Sequence, residues 1–149
     1  MSYEIIQIFA QNYFIITLKF TFKKEEKLKG TRLIQQLFEE GKTFSVFPFK
    51  VLYQFTLFED ASLKAGFGVS QKKFKKATDR NRVKRLMREC YRVQKQYLKD
   101  ILTFNKRSLA VFFIYTGNTL PEYTELKEKI KASLKRLEKI ANENDVTNS

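Results

Sequence analysis

Residues 72–95 carry eleven lysines and arginines against only two acidic residues, and this imbalance constrains the fold more than any other feature of the chain. The segment holds a formal charge of +9, out of +13 for the whole protein. An unpaired charge is costly to bury, so most of these side chains must face water or a polyanion. The positive residues are Lys72, Lys73, Lys75, Lys76, Arg80, Arg82, Lys84, Arg85, Arg88, Arg92 and Lys95.

Most of this segment is predicted to be an amphipathic helix, over residues 77–98. Cations recur every three to four positions on one side of it, and a second side is largely apolar. The docking side comprises Val83, Met87, Cys90, Gln94 and Tyr97, with Leu86 and Val93 beside them. The cationic side comprises Arg80, Lys84, Arg88, Arg92 and Lys95. The helix is therefore expected to dock by one side and to leave its cations open.

The remaining periodic segments predict a sheet with two further helices. Residues 28–41 and 121–141 have apolar residues at helical spacing. Residues 44–58, which Pro48 divides in two, and residues 63–70 and 108–116 have the composition of strands. The last of these is almost continuously apolar, so it is expected to lie in the middle of the sheet.

The resulting order, α-β-β-β-α-β-α, predicts a single-domain α+β protein. About four strands form a mixed sheet, and three helices pack on it as an α/β sandwich. The domain is expected to span residues 20–141. Residues 1–19 are interpreted as an N-terminal extension, either an added strand or a poorly ordered tail, and residues 142–149 as a polar tail.

The composition excludes several kinds of catalytic site. The chain contains no His, so it has no His general base, no His-activated nucleophile and no His metal ligand. Its single Cys, Cys90, forms no internal disulfide and is expected to be a small buried hydrophobe, which fits a reducing, cytoplasmic setting. Paired carboxylates that hold Mg²⁺ remain possible in principle, although no acidic pair falls in a Mg²⁺-binding motif.

The net charge points first to nucleic acid and second to an acidic membrane surface. Arginine forks and lysine ammonium groups both bind phosphates, and Asn81 can hydrogen-bond a base edge, a 2′-hydroxyl or its own backbone. The alternative is a helix face that is merely solvated. We favour nucleic acid because a helix that is only soluble mixes charges of both signs, whereas this one repels itself.

The order of residues around the basic helix resembles one family. Gly66-Phe67-Gly68-Val69-Ser70-Gln71-Lys72-Lys73 leads into Arg80-Asn81-Arg82-Val83-Lys84-Arg85, and Arg88-Glu89 and Arg92 follow. This succession is similar to the GFSVSKK strand and the RNR-x-KR-x-x-RE helix of the bacterial ribonuclease P protein subunit. Residues 22–28, 38–42 and 51–53 resemble further parts of that family, so the likeness covers residues 20–138 in order.

The resemblance implies a fold like that of the second domain of ribosomal protein S5 and a subunit of a ribonucleoprotein endoribonuclease. In that family the RNA subunit is catalytic and uses Mg²⁺, for which no protein ligand is expected. The protein assists removal of the 5′ leader of precursor tRNA. It binds the RNA subunit by the basic helix and the leader in a cleft between the first helix and the sheet. The partners implied are therefore the ribonuclease P RNA subunit and precursor tRNA, with no membrane and no obligate protein partner.

The residue roles follow from the same resemblance. No catalytic residue is implied in the protein. The implied RNA contacts are Lys72, Lys73, Arg80, Asn81, Arg82, Lys84, Arg85, Arg88 and Arg92. The implied lining of the leader cleft is Ile34, Phe38 and Tyr53, with Phe49 and Phe67 as weaker candidates. Each of these aromatic residues also suits a hydrophobic core, and Phe55, Phe112 and Phe113 are expected to lie there.

Two other functions stay open from the residues alone. The first is a general RNA-binding or ribosome-associated protein with no role in cleavage. The second is a peripheral membrane protein that uses the basic helix and the apolar N-terminus.

Overall fold

The computed structural model describes residues 21–146, in which helices cover both faces of one four-stranded sheet. A 3-10 turn at Lys24–Glu26 comes first. The α-helices are α1 (Thr31–Glu40), α2 (Ala77–Arg92), α3 (Gln96–Phe104) and α4 (Tyr123–Val146). The strands are β1 (Lys42–Val46), β2 (Phe49–Phe55), β3 (Leu63–Val69) and β4 (Leu109–Tyr115).

The sheet has the order β1-β2-β4-β3 and is mixed, as predicted. β1 pairs antiparallel with β2, β2 pairs antiparallel with β4, and β3 pairs parallel with β4. β4 has a neighbour on each side, which confirms the central position that its apolar sequence predicted. A parallel pair needs a long crossover connection, and the segment containing α2 and α3 supplies it.

The two faces of the sheet bury different sets of side chains. One face packs against α2, α3 and α4 and holds the larger core, in which Phe67 stacks on Phe113 with ring centroids 5.5 Å apart. The other face packs against α1 through a smaller cluster that contains Leu37 and Leu52. Because successive side chains of a strand point to opposite faces, neighbouring residues of β2 belong to different sides of the protein.

Gly66 and Gly68 allow the ring of Phe112 to lie across β3. A Cβ atom built on Gly66 would be 2.6 Å from that ring, and one on Gly68 would be 2.8 Å from it. The group that approaches the two glycines is thus an aromatic side chain of the neighbouring strand.

The predicted helix over residues 77–98 is two helices, so the described residues contain four α-helices rather than three. α2 ends at Arg92 and α3 begins at Gln96. In the turn between them, the amide N–H groups of Gln94 and Lys95 both donate to the carbonyl of Tyr91. The break turns Lys95 into the protein interior, where it is 1% exposed, and leaves Tyr97 65% exposed, the opposite of both predictions.

The last helix is longer than the sequence predicted. α4 continues to Val146, so residues 142–146 are helical. The predicted extension over residues 1–19 and the last residues of the tail lie outside the described residues.

Candidate nucleic-acid interface

The cationic side of α2 is open to solvent because the opposite side of the helix is buried. Val83, Met87, Cys90 and Tyr91 are fully buried against the sheet and α4, which confirms the docking side. All nine predicted RNA contacts are exposed or half-buried, namely Lys72, Lys73, Arg80, Asn81, Arg82, Lys84, Arg85, Arg88 and Arg92. Within the described part of the chain, Arg82 and Arg85 form no ion pair or hydrogen bond with another side chain, so their guanidinium groups are open to a ligand.

Three of the predicted RNA contacts already have partners inside the protein. The Arg80 guanidinium donates to the carbonyls of Phe74, at 2.8 Å, and Lys75, at 2.9 Å, and so fastens the loop before α2. The Lys73 ammonium donates to the carbonyl of Thr116. Arg92 pairs with Glu89 at 2.6 Å, and this hydrogen bond raises the pKa of Arg92 and lowers that of Glu89. The density of positive charge therefore overstates the number of cations that are free to bind RNA.

Lys95 lies apart from this interface, in a buried ion pair with Glu26. Lys99 also reaches the Glu26 carboxylate, at 3.2 Å, and the backbone N–H of Lys23 donates to it at 2.8 Å. Burial lowers the pKa of Lys95, against the opposing effect of its hydrogen bond to Glu26. The pair joins the segment before α1 to the junction of α2 and α3.

A groove opens between α1, the segment before it and the edge strand β3, and we call it the α1 groove. Its volume is about 310 Å³. Its lining is Phe22, Lys27, Leu28, Lys29, Ile34, Ala65, Gly66, Phe67, Arg88 and Phe112. The groove thus combines an apolar and aromatic floor with three cationic side chains. Phe38 borders it, 49% exposed, with its ring edge-to-face against Phe112 at 5.4 Å.

The five residues predicted for the leader cleft do not all meet there. Ile34 lines the α1 groove and Phe38 borders it, whereas Phe67 reaches it only by the part of its ring that the core leaves uncovered. Phe49 is 1% exposed and packs on Phe113 and Tyr115, so it offers no surface to a ligand. Tyr53 faces α4 on the opposite side of the sheet. The structure therefore does not bring Phe49 and Tyr53 into the α1 groove, because their side chains in β2 point away from α1, and their assignment as leader contacts stays a prediction.

The aromatic and cationic residues of the groove lining that sequence reasoning missed are Phe22, Lys27, Lys29 and Phe112. The paired glycines of β3 were the available signal for Phe112, because strand positions without a Cβ leave room for a large side chain to lie over them. No pattern in the sequence places the other three residues beside β3. They arrive there because Lys27 forms an isolated parallel bridge with Ala65.

The described residues contain no cluster of metal ligands and no activated thiol. Among them, no three acidic or sulfur side chains come together as a metal site. Burial, with a smaller contribution from Glu89, raises the pKa of the Cys90 thiol to about 11, so Cys90 is a packing residue, as predicted. No helix in this part of the chain has the length and apolar character to span a bilayer.

The fold and the site together define a small α+β RNA-binding protein in which a basic helix lies beside an aromatic groove. A family model described as Ribonuclease P matches residues 22–138, and the chain belongs to that family. The ribonuclease P protein component of Porphyromonas gingivalis is 34% identical over 119 residues, which cover 79% of this chain and 87% of the relative. That of Chlorobium phaeobacteroides is 32% identical over 121 residues, covering 74% and 83%.

Solved structures agree with this assignment. The ribonuclease P protein of Thermotoga maritima is 26% identical with a TM-score of 0.57, over 74% of this chain and 96% of that one. The Staphylococcus aureus protein, at 20% identity, shares the fold with a TM-score of 0.60, over 74% and 94%. The protein is therefore a subunit of a ribonucleoprotein endoribonuclease and acts, with an RNA subunit as its partner, in processing the 5′ leader of tRNA.

Proposed function

We propose that the protein binds the RNA subunit by the open side of α2 and the leader of precursor tRNA in the α1 groove. The observation that supports these two neighbouring binding surfaces is the position of Arg88, which belongs to α2 and also lines the groove. One continuous surface therefore runs from the cations that would hold the RNA subunit to the groove that would hold the substrate.

The groove has the chemistry that an unpaired RNA strand requires. Lys27, Lys29 and Arg88 surround it and would pair with phosphates. Phe38 and Phe112 offer aromatic surface, on which a stacked base gains about 1–3 kcal/mol. Stacking of this kind tolerates any base, which suits a substrate whose leader sequence varies.

We further propose that Mg²⁺ is used by the RNA subunit without a ligand from this protein. The role of the protein is then electrostatic, since its cations reduce the repulsion between two polyanions and so favour Mg²⁺ binding indirectly. We assign this activity to the cytoplasm, which suits the free, buried Cys90 thiol.

Reconstitution of cleavage at low Mg²⁺ tests the function as a whole. The full chain is combined with a bacterial ribonuclease P RNA and a precursor tRNA, and cleavage rates are measured with and without the protein. We expect the protein to raise the rate. No stimulation over a range of Mg²⁺ concentrations would reject the proposed role in cleavage and leave a general RNA-binding protein.

Two pairs of variants then separate the two surfaces. Arg82→Ala with Arg85→Ala should weaken binding to the RNA subunit and lower the salt slope of the affinity by about 1.5, for two lost phosphate contacts. Lys127→Ala with Lys129→Ala removes the same charge from an exposed part of α4 and is the matched control. Equal slopes for the two double variants would show that the arginines are only a solvated face.

Phe38→Ala should weaken binding of leader-bearing tRNA more than binding of tRNA without a leader, by about 5- to 150-fold for one lost stacking contact. Phe104→Ala is its control, because Phe104 is an exposed phenylalanine at the end of α3 that lies outside the groove lining. If Phe38→Ala affected both substrates equally, the groove would not be the site of the leader.

A further inference from the structure

Residues 21–30 form one wall of the α1 groove and have little regular structure of their own. Within this range the structure shows the 3-10 turn at Lys24–Glu26 and the isolated bridge from Lys27 to Ala65. The backbone N–H of Leu28 also donates to the carbonyl of Ala65, at 2.9 Å. The position of the wall therefore depends largely on the contacts of its side chains. The lining residues that it supplies are Phe22, Lys27, Leu28 and Lys29.

The carboxylate of Glu26 is the buried anchor of this wall. It pairs with Lys95 and, at 3.2 Å, with Lys99, and it accepts a hydrogen bond from the backbone N–H of Lys23 at 2.8 Å. The Glu26 side chain is 5% exposed and that of Lys95 is 1% exposed, so salt screens the pair little. We call Glu26, Lys95 and Lys99 together the Glu26 clasp. Because Lys27 follows Glu26 directly, a shift of Glu26 would move the cations of the wall as well.

The cationic half of the clasp is attached to the end of the basic helix. Lys95 lies in the turn that follows α2, and α2 supplies Arg88 to the groove lining. The ring of Phe22 contacts both parts, with the Tyr91 ring 5.5 Å and the Lys95 ammonium 5.1 Å from its centroid. The clasp therefore fixes the wall relative to α2, and with it the spacing between Lys27 and Arg88.

We propose that the Glu26 clasp sets the shape of the α1 groove for the leader, which makes Glu26 and Lys95 positioning residues that touch no RNA themselves. Both are buried, so they act through the spacing of Lys27 and Arg88. Without the clasp the wall would take several positions, and the apparent affinity would fall with the fraction of molecules that keep the binding-competent one. The inference rests on the proposed leader site and gives the ion pair a role in recognition besides stability.

Lys95→Met tests the role in recognition, because it removes an ammonium group from the clasp and changes no residue of the groove lining. The full-length variant is assembled with a bacterial ribonuclease P RNA, and dissociation constants are measured for precursor tRNA and for tRNA without a leader. We expect the affinity for precursor tRNA to fall by about tenfold, which corresponds to about a tenth of the molecules keeping the competent spacing. The affinity for tRNA without a leader should stay unchanged. An unchanged affinity for precursor tRNA would overturn the proposal.

A destabilised control separates positioning from a simple loss of stability. Leu137→Ala removes core contacts in α4, where Leu137 is fully buried and lies outside the groove lining. Both variants are compared at a temperature at which circular dichroism shows them to be folded. Leu137→Ala should keep the preference for precursor tRNA, and an equal loss of preference in both variants would show that the clasp only stabilises the fold. If Lys95→Met fails to fold, Lys99→Met takes its place, since the Lys99 side chain is 33% exposed, and the same two outcomes decide.

Hydrogen exchange tests the position of the wall without any RNA. The amide of Leu28 donates from the wall to β3, whereas the amide of Thr116 donates at 2.8 Å to a carbonyl in the turn between β1 and β2. In Lys95→Met the Leu28 amide should exchange faster relative to that of Thr116, and in Leu137→Ala the ratio of the two rates should not change. An unchanged ratio in Lys95→Met would mean that the clasp does not hold the wall, and the proposal would be wrong.

The variants also distinguish failure of this inference from failure of the proposed function. If Phe38→Ala weakens binding of precursor tRNA and Lys95→Met does not, the leader uses the groove without help from the clasp, so the inference fails and the proposed function stands. If neither variant changes the preference for precursor tRNA, the proposed leader site is wrong, and the inference that rests on it fails as well.

Discussion

Replacing Lys95 by methionine would test the buried ion pair that joins the segment before α1 to the turn between α2 and α3. Lys95 is 1% exposed, and the Glu26 side chain that it contacts is 5% exposed. Methionine keeps the length and apolar stem of lysine and removes the ammonium group. The change therefore leaves the Glu26 carboxylate buried without its main partner.

The loss in free energy of unfolding caused by Lys95→Met should be smaller than that for breaking an isolated buried ion pair. Removing one partner from a buried pair costs about 3–5 kcal/mol when the other charge is left alone. Glu26 is not left alone, because Lys99 at 3.2 Å and the N–H of Lys23 at 2.8 Å still hydrogen-bond its carboxylate. We therefore expect Lys95→Met to lower the free energy of unfolding by about 2–3 kcal/mol.

The reverse substitution should cost more. Glu26→Met removes the carboxylate and leaves the Lys95 ammonium buried, and the remaining contact that the structure gives it is the ring of Phe22, at 5.1 Å. We expect a loss of about 3–4 kcal/mol. The double variant should be less destabilised than the sum of the two single variants by at least about 1 kcal/mol, since it leaves neither charge unpaired.

Urea unfolding of the four proteins, followed by circular dichroism, measures these differences, with the slope m as a check that unfolding stays two-state. Single variants that each lower the free energy of unfolding by less than about 0.5 kcal/mol would refute the reasoning, because a buried charge without its partner should destabilise the fold by more than this. Strictly additive costs would refute it as well, since they would mean that the two groups do not interact.

The same experiment has a pH dependence of known sign. Burial alone would raise the pKa of Glu26, but the hydrogen bonds from Lys95, Lys23 and Lys99 outweigh it and hold the pKa below its ordinary value. A carboxyl group with a lowered pKa stabilises the folded state at pH values above its ordinary pKa. That contribution is lost as the pH falls through the lowered value. The stability difference between the unaltered protein and Lys95→Met should therefore shrink in acid.

Three further predictions concern the interface and its surroundings. Gly66→Ala should lower the free energy of unfolding by about 1–3 kcal/mol, because the added Cβ would displace the ring of Phe112. The affinity for the leader should fall as well, and an unchanged urea midpoint with unchanged affinity would contradict this prediction. Arg80→Gln should lower the free energy of unfolding by about 1–3 kcal/mol, because it loses hydrogen bonds to two backbone carbonyls. Arg82→Gln should instead weaken RNA binding and leave the stability unchanged. Urea unfolding and RNA titrations of both variants check this, and the opposite pattern would reverse the two roles. Cys90, buried and with its pKa raised to about 11, should react with a thiol reagent at pH 8 only after denaturation, so rapid labelling of the folded protein would be inconsistent with its environment.

The predictions that held are those that depend on patterns within one element. The apolar run of β4 placed that strand in the middle of the sheet, because a strand covered on both faces needs apolar residues at nearly every position. The spacing in α2 assigned Val83, Met87 and Cys90 to the buried side of the helix. The family-specific order around Arg80-Asn81-Arg82 was equally local, and it led to the family that the comparisons support.

The features that the sequence did not predict depend on contacts between distant segments. The break after Arg92 interrupts a sequence of good helical periodicity, and the residue it turns inward, Lys95, meets a partner 69 positions earlier. The side chains of Phe49 and Tyr53 lie on the face of the sheet away from α1, and the direction of a strand residue is known only once the sheet is packed. Arg80 looked like its neighbours in the sequence but bonds to a loop that the sequence does not position.

By itself, the sequence determined that this protein has one α+β domain, an open cationic helix, no histidine chemistry and the residue order of the ribonuclease P proteins. These properties follow from composition and short-range periodicity, which the chain carries before it folds. Only the tertiary structure decided which cations are open, which aromatic residues line a groove and where Tyr53 faces. The reason is that burial and pairing are set by residues that meet across the sheet, and their separation along the chain leaves no periodic pattern to read.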